Sequence, residues 1–229
     1  MKSKINHIRF LKYLHLEPII FIFLFMVILI NAIVFNDNLI SVVYAICGIL
    51  YTIFAGQGQI KCYIFGIIST LCYSYLAYKS AIYGNMLLNL CYYLPMQISG
   101  IFAWKKNINK ETNKILKTKL NNKTRLIMAV STIITVFCST IIFQNLDDKS
   151  PVIDSITTIL SILAMYLTVK RCIEQWILWT IVNFLSIIMW IKISLSGVKA
   201  YSTILVWIVY FVLGIYFYIK WTKEINYSK

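Results

Sequence analysis

Apolar residues run along this chain in long stretches broken by short polar segments. A helix crosses hydrocarbon with about 17–25 mostly apolar residues. Eight stretches reach or approach that length: 18–35, 39–56, 62–79, 85–104, 126–144, 152–170, 175–195 and 201–220. The pattern predicts an all-α integral membrane protein with eight transmembrane helices. Most connections are short, so successive helices are expected to pack as antiparallel neighbours. The longer connection, 105–125, reads as a solvated basic segment, and no stretch leaves room for a soluble domain. Pro18 suits the first turn of a helix. Asn31-Ala32-Ile33-Val34 offers no small-x-small cleavage site, so the first helix reads as retained.

Composition supports the membrane reading. Hydrophobic residues make up 60% of the chain, charged residues only 13%, and the mean hydropathy is +0.76. A soluble fold of 229 residues has too little interior for so much apolar surface. The net charge of +14 then becomes a topology signal. With eight spans and the N-terminus inside, eighteen of the 22 basic residues fall on one face. Lys79, Lys149, Lys192 and Lys199 fall on the other. This predicts cytoplasmic N- and C-termini and removes the case for a nucleic-acid partner. The six cysteines lie in or beside spans without a C-x-x-C pair and read as packing residues. His7 and His15 sit in the basic tail beside the headgroups.

A shift of 117 residues aligns 66–106 with 183–223 without a gap. Ser69 meets Ser186, Leu88 meets Leu205, Tyr93 meets Tyr210, and Trp104-Lys105-Lys106 meets Trp221-Thr222-Lys223. A Trp followed by Lys is also an ordinary interface anchor. The match predicts an extra N-terminal helix followed by a 3+1+3 parallel repeat. Residues 1–38 would hold the tail and first helix, and 39–104 the first triple. The basic loop and connecting helix would occupy 105–151, and the second triple with the C-terminal tail 152–229. Paired repeats of this kind suit a transporter whose halves rock about a shared site.

Polar side chains at membrane depth are costly, so each is a candidate for function. At about 100° per residue, Asn89, Tyr93, Gln97 and Gly100 share one helical stripe, with Tyr92 beside it. Gly100 permits close approach by a helix or ligand, and Pro95 frees a backbone carbonyl. Trp176, Trp179 and Asn183 share a face of the seventh span. Almost no fixed charge lies deep, which argues for an uncoupled facilitator. Indole and phenol rings stack on flat rings and attract cations. Amides offer paired donors and acceptors. The site therefore suits a small flat polar solute, neutral or cationic. No cofactor, metal site or catalytic constellation of an intramembrane enzyme is present in the sequence.

Asn89-x2-Tyr92-x7-Gly100-x3-Trp104 and Trp176-x2-Trp179-x3-Asn183 resemble the two signatures of the PnuC family of nicotinamide riboside transporters. Tyr83-Gly84-Asn85-Met86, Leu94-Pro95-Met96-Gln97 and Thr157-Thr158-x2-Ser161 also look like that family. The resemblance implies a SWEET-like fold, a homotrimer and a bacterial inner-membrane location. It implies facilitated diffusion of nicotinamide riboside, trapped by a cytoplasmic riboside kinase for NAD synthesis. Trp176, Trp179 and Asn183 would line the site with Asn89, Tyr92, Tyr93 and Gln97, while Gly100 and Trp104 complete the motif. Related members carry thiamine, riboflavin or deoxynucleosides, and these stay open as substrates. A sugar facilitator of the SWEET type is a further alternative.

Overall fold

The computed structural model describes Met26 and residues 38–79, 83–146, 150–197 and 201–227. The first predicted span, 18–35, lies outside the described residues apart from Met26. The remaining seven spans are each helical, and their order is α1 (Leu39–Gly56), α2 (Cys62–Lys79), α3 (Tyr83–Leu88), a π-helical turn (Asn89–Tyr93), α4 (Leu94–Lys105), α5 (Asn122–Asn145), α6 (Pro151–Val169), α7 (Glu174–Leu195) and α8 (Tyr201–Tyr227). Six of these helical stretches are long and apolar enough to cross a membrane. The α2 helix has the length, but Tyr63, Ser69, Thr70, Tyr73 and Ser74 make it more polar.

The segment 83–105 is one continuous rod interrupted by the π turn, where the Leu94 N–H reaches the Asn89 carbonyl. Pro95 explains the interruption. It has no N–H to give, and its ring would press on the carbonyl four residues back. Widening the turn relieves that pressure, and such turns often accompany functional sites.

Helices pack first with their chain neighbours: α1 with α2, α2 with the 83–105 rod, α6 with α7, and α7 with α8. Two further contacts join the halves. The α4 helix meets α6, and α8 meets α1. Thus the last helix of each triple packs on the first helix of the other. The α5 helix packs beside α6 and buries none of its residues within the chain.

The joining contacts share one device. The Trp104 indole donates to the Thr168 carbonyl at 3.0 Å, and the Trp221 indole donates to the Gly56 carbonyl at 2.7 Å. Both tryptophans are fully buried, so neither is the lipid-interface anchor that a Trp-Lys pair ordinarily marks. Glycines permit this closeness. A Cβ at Gly56 would enter the Phe217 ring, and one at Gly100 would enter the Tyr63 ring. Gly100 therefore serves a helix contact. Tyr63 in turn meets Trp104 edge-on, with centroids 5.0 Å apart.

The two first helices also end alike. At α1, Gly58 has φ 73°, and the Gln59 and Gly58 N–H groups return to Phe54 and Ala55. At α6, Arg171 has φ 61°, and Cys172 and Arg171 return to Leu167 and Thr168. These are paired six-to-one and five-to-two closures of a helix C-terminus, one with glycine and one with arginine in the left-handed position.

The basic connection differs from the expected solvated loop. Residues 106–121 form a strap across the end where those helices stop. The Ile115 N–H donates to Gly58 O at 2.9 Å, and the Thr118 N–H donates to Arg171 O at 2.9 Å. Ile115 is buried. Lys117 pairs with Glu224 and lies over the Trp221 ring. Arg125 pairs with Glu174, whose other hydrogen bond comes from the Leu120 N–H at 3.1 Å. The charge pattern along the sequence hides this, because backbone groups make the decisive bonds.

Trp221→Phe should lower stability by about 1–2 kcal/mol, the cost of leaving a buried carbonyl without its donor. Trp104→Phe should cost less, because Thr168 O also receives the Arg171 N–H at 3.0 Å. Thermal unfolding of the purified variants in detergent measures both.

Candidate functional site

A cavity of about 580 Å³ lies between the two triples. It runs from exposed Asn85 and partly exposed Asp154 at one end to buried Thr168, Gln175 and Trp176 at the other. Below that second end lie fully buried Tyr63, Trp104, Phe217 and Trp221. The cavity is therefore open towards the Asn85 end and closed by aromatic packing at the strap end.

The 83–105 rod supplies one wall. Asn89, Tyr93 and Gln97 line the cavity, as their shared stripe predicts. Asn89 and Gln97 are buried. The Asn89 amide donates to Asn85 O at 2.9 Å, one turn back in α3. The Gln97 amide donates to Thr70 Oγ1 at 2.7 Å, while its Oε1 is buried with no hydrogen-bond partner. Gly66 on α2 makes room here, since a Cβ there would stand 3.0 Å from Gln97 Oε1.

Helix α7 supplies the facing wall, with Trp176, Trp179 and Asn183 all lining the cavity. The two tryptophans differ in how they are held. Trp179 donates its indole N–H to Thr168 Oγ1 at 3.3 Å and is only partly buried. Its ring is thereby oriented while part of its surface stays open. Trp176 is buried, and its ring packs on Phe217 and Trp221 at centroid distances of 5.1 and 5.7 Å. The protein already uses that ring, whereas its N–H has no partner. Asn183 is buried on α7.

Three motif residues stand apart from the cavity lining. Tyr92 donates to the Ile162 carbonyl at 2.6 Å and so ties the rod to α6. Gly100 lies against Tyr63, and Trp104 against Thr168.

Sequence reasoning passed over several lining residues, among them Tyr44, Tyr51, Ser69, Ser186 and Tyr210. For three of these the 117-residue shift held the signal. Ser69 aligns with Ser186 and Tyr93 with Tyr210, and all four line the cavity. Tyr210 reaches across to α1, where a Cβ on Gly48 would collide with its hydroxyl. Tyr44 and Tyr51 sit in a run so apolar that no periodicity singles them out.

Charge is nearly absent. Among the described lining residues only Asp154 carries a formal charge, and none is Lys or Arg. No group of His, Cys, Asp and Glu able to hold a metal occurs among the described residues. The arrangement can enclose a flat ring beside Trp179 and exchange hydrogen bonds through Asn89, Gln97 and Asn183.

A family profile described as "Nicotinamide mononucleotide transporter" matches residues 38–223. A nicotinamide riboside transporter PnuC from Neisseria mucosa is 33% identical over 199 residues, covering 84% of this chain and 76% of that protein. The Haemophilus influenzae protein of the same name is 30% identical over 192 residues, covering 83% of this chain and 82% of its own. A crystal structure of the vitamin B3 transporter PnuC superposes with a TM-score of 0.82 at 28% identity, covering 94% of both chains.

Tyr92→Phe should cost about 1 kcal/mol of stability, the worth of one buried hydrogen bond. It should leave ligand affinity unchanged, whereas Tyr93 faces the cavity. Thermal unfolding read beside a binding titration separates the two effects.

Proposed function

Because the chain belongs to the nicotinamide mononucleotide transporter family, a family of transporters and not of enzymes, we propose that it takes up nicotinamide riboside by facilitated diffusion. It is a multi-pass membrane protein by its apolar helices and its family. The observation that carries the substrate reading is the cavity lining: amides, hydroxyls and aromatic rings, with no Lys or Arg among the described residues. The family description names a mononucleotide, whereas the curated relatives are named for the riboside. The lining supports the riboside. A phosphate is ordinarily met by Arg, Lys or a free helix N-terminus, and the α6 N-terminus beside this cavity carries Asp154.

In this reading Trp179 stacks on the pyridinium ring, a flat cation. Asn89, Gln97 and Asn183 read the carboxamide and ribose hydroxyls, with Tyr93 beside them and the free Trp176 N–H as a further donor. Downhill movement needs no ion site, which fits a deep cavity without charged groups. Thiamine shares the flat cation and is the second reading.

The finer architecture belongs to the same proposal. It comprises eight spans, with an extra N-terminal helix before a SWEET-like 3+1+3 repeat, and the segment boundaries given above. The reciprocal bonds of Trp104 and Trp221 and the matching ends of α1 and α6 support the repeat. The charge bias supports cytoplasmic termini, with the strap end inside. A bacterial inner-membrane location, a homotrimer and trapping by a cytoplasmic riboside kinase that leads to NAD synthesis rest on the family resemblance.

Purified protein in liposomes should let nicotinamide riboside equilibrate with no added ion gradient. Accumulation above the outside concentration without a trapping kinase would overturn the facilitator reading. Trp179→Ala and Asn183→Ala should each weaken binding by at least about 1 kcal/mol, the scale of a lost stacking or hydrogen-bond partner. Isothermal titration in detergent measures it, and unchanged affinity in both variants places the site elsewhere.

A further inference from the structure

We infer that Gln175 is a specificity-determining residue that reads the carboxamide on the ring of the permeant, a step that rests on the nicotinamide riboside reading above and fixes which way round the molecule sits. Gln175 is 1% exposed and lines the closed end of the cavity, yet its side-chain Nε2 has no hydrogen-bond partner. The neighbouring Trp176 is 3% exposed, and its indole N–H also lacks a partner. The backbone N–H groups of both residues are already used. They donate to Cys172 O at 3.2 Å and to Ile173 O at 3.1 Å. Two adjacent residues thus bring open side-chain donors to the floor of one cavity. A buried donor without an acceptor is costly, so such a pair asks for an occupant with an acceptor atom.

Helix geometry says which occupant fits. Helix α7 starts at the strap end, where Glu174 receives the Leu120 N–H, and runs towards the open end. Gln175, Trp179 and Asn183 are four residues apart, so they follow one another along one face of α7 at about 6 Å per step. All three line the cavity. The resulting ladder is amide, ring, amide. A flat ring stacked on Trp179 has Gln175 one step towards the closed end and Asn183 one step towards the open end. Nicotinamide riboside carries its groups in the same order: a carboxamide, a pyridinium ring and a sugar with hydroxyls. The carboxamide oxygen has two lone pairs, enough to accept from both Gln175 Nε2 and the Trp176 N–H. The ribose then lies towards Asn183. Gln175 stands outside the Trp176-x2-Trp179-x3-Asn183 motif, so its contribution can be removed while the stacking ring and the Asn183 amide stay in place.

The experiment titrates three ribosides in detergent by isothermal calorimetry. They are nicotinamide riboside, its 3-acetylpyridine analogue, which keeps the carbonyl but has no amide N–H, and the pyridinium riboside with no ring substituent. Gln175→Met should weaken binding of the first two about tenfold, the scale of one buried hydrogen bond, and leave the third unchanged. Gln175→Asn keeps an amide but withdraws it by one methylene. It should give the same pattern, and it serves if the Met variant does not fold. Equal losses for all three ribosides would mark a structural residue or a contact to the sugar and would overturn the assignment. Unchanged affinity for nicotinamide riboside in the folded variants would overturn it as well. If the native protein binds none of the three, the nicotinamide riboside reading itself fails and the assignment falls with it.

Discussion

Two indole N–H groups hold this molecule together across its middle. Trp104 and Trp221 each end the last helix of a triple, and each donates to a carbonyl in the last turn of the other triple's first helix. Away from water such a carbonyl needs a donor; Gly56 O takes the Trp221 indole as its donor, and Thr168 O takes the Trp104 indole beside the Arg171 N–H. The tryptophans meet that need and bring α4 to α6 and α8 to α1. Glycines at 56 and 100 leave the room that the Phe217 and Tyr63 rings occupy, where a Cβ would collide with them. The cavity follows as a remainder: halves pinned at one end leave space between them towards the other.

The chemistry of that space depends on what is missing from it. Deep in the cavity the protein offers rings, amides and hydroxyls, and hardly any charge. Selection must then come from shape, ring stacking and hydrogen bonds, each of modest strength. Modest strength suits a carrier that has to release what it binds. The widened turn at Asn89–Tyr93 contributes by setting the direction of three polar side chains from one rod.

Much of this was legible along the chain. Hydropathy located seven helices, since length and apolar content are what a bilayer requires, although the last one continues to Tyr227, past the expected end at 220. The stripes of Asn89, Tyr93 and Gln97 and of Trp176, Trp179 and Asn183 reached the cavity because residues three or four apart share a helix face, a relation that one widened turn does not undo. Other features left no such trace. The π turn arises from a conflict between Pro95 and its neighbouring carbonyl, which periodicity does not register. Tyr92 shares the motif yet bonds to a backbone carbonyl of α6, and only tertiary placement separates it from Tyr93. The strap looked like a charged loop because its basic side chains dominate the sequence, although its anchoring groups are main-chain.

Bonds from Ile115 and Thr118 to Gly58 and Arg171 use atoms that every residue except proline possesses. Exposed strap side chains such as Lys110 and Glu111 can therefore vary while the closure persists, whereas Ile115, which is buried, and Lys117, which pairs with Glu224, are held in place. A left-handed position usually demands glycine, but the closure at α6 tolerates arginine, so even this requirement is loose. Comparisons of sequence alone will tend to underrate the segment. Insertions and deletions are the changes to watch for there, because a shift in length moves the two anchoring amides out of step with their carbonyls.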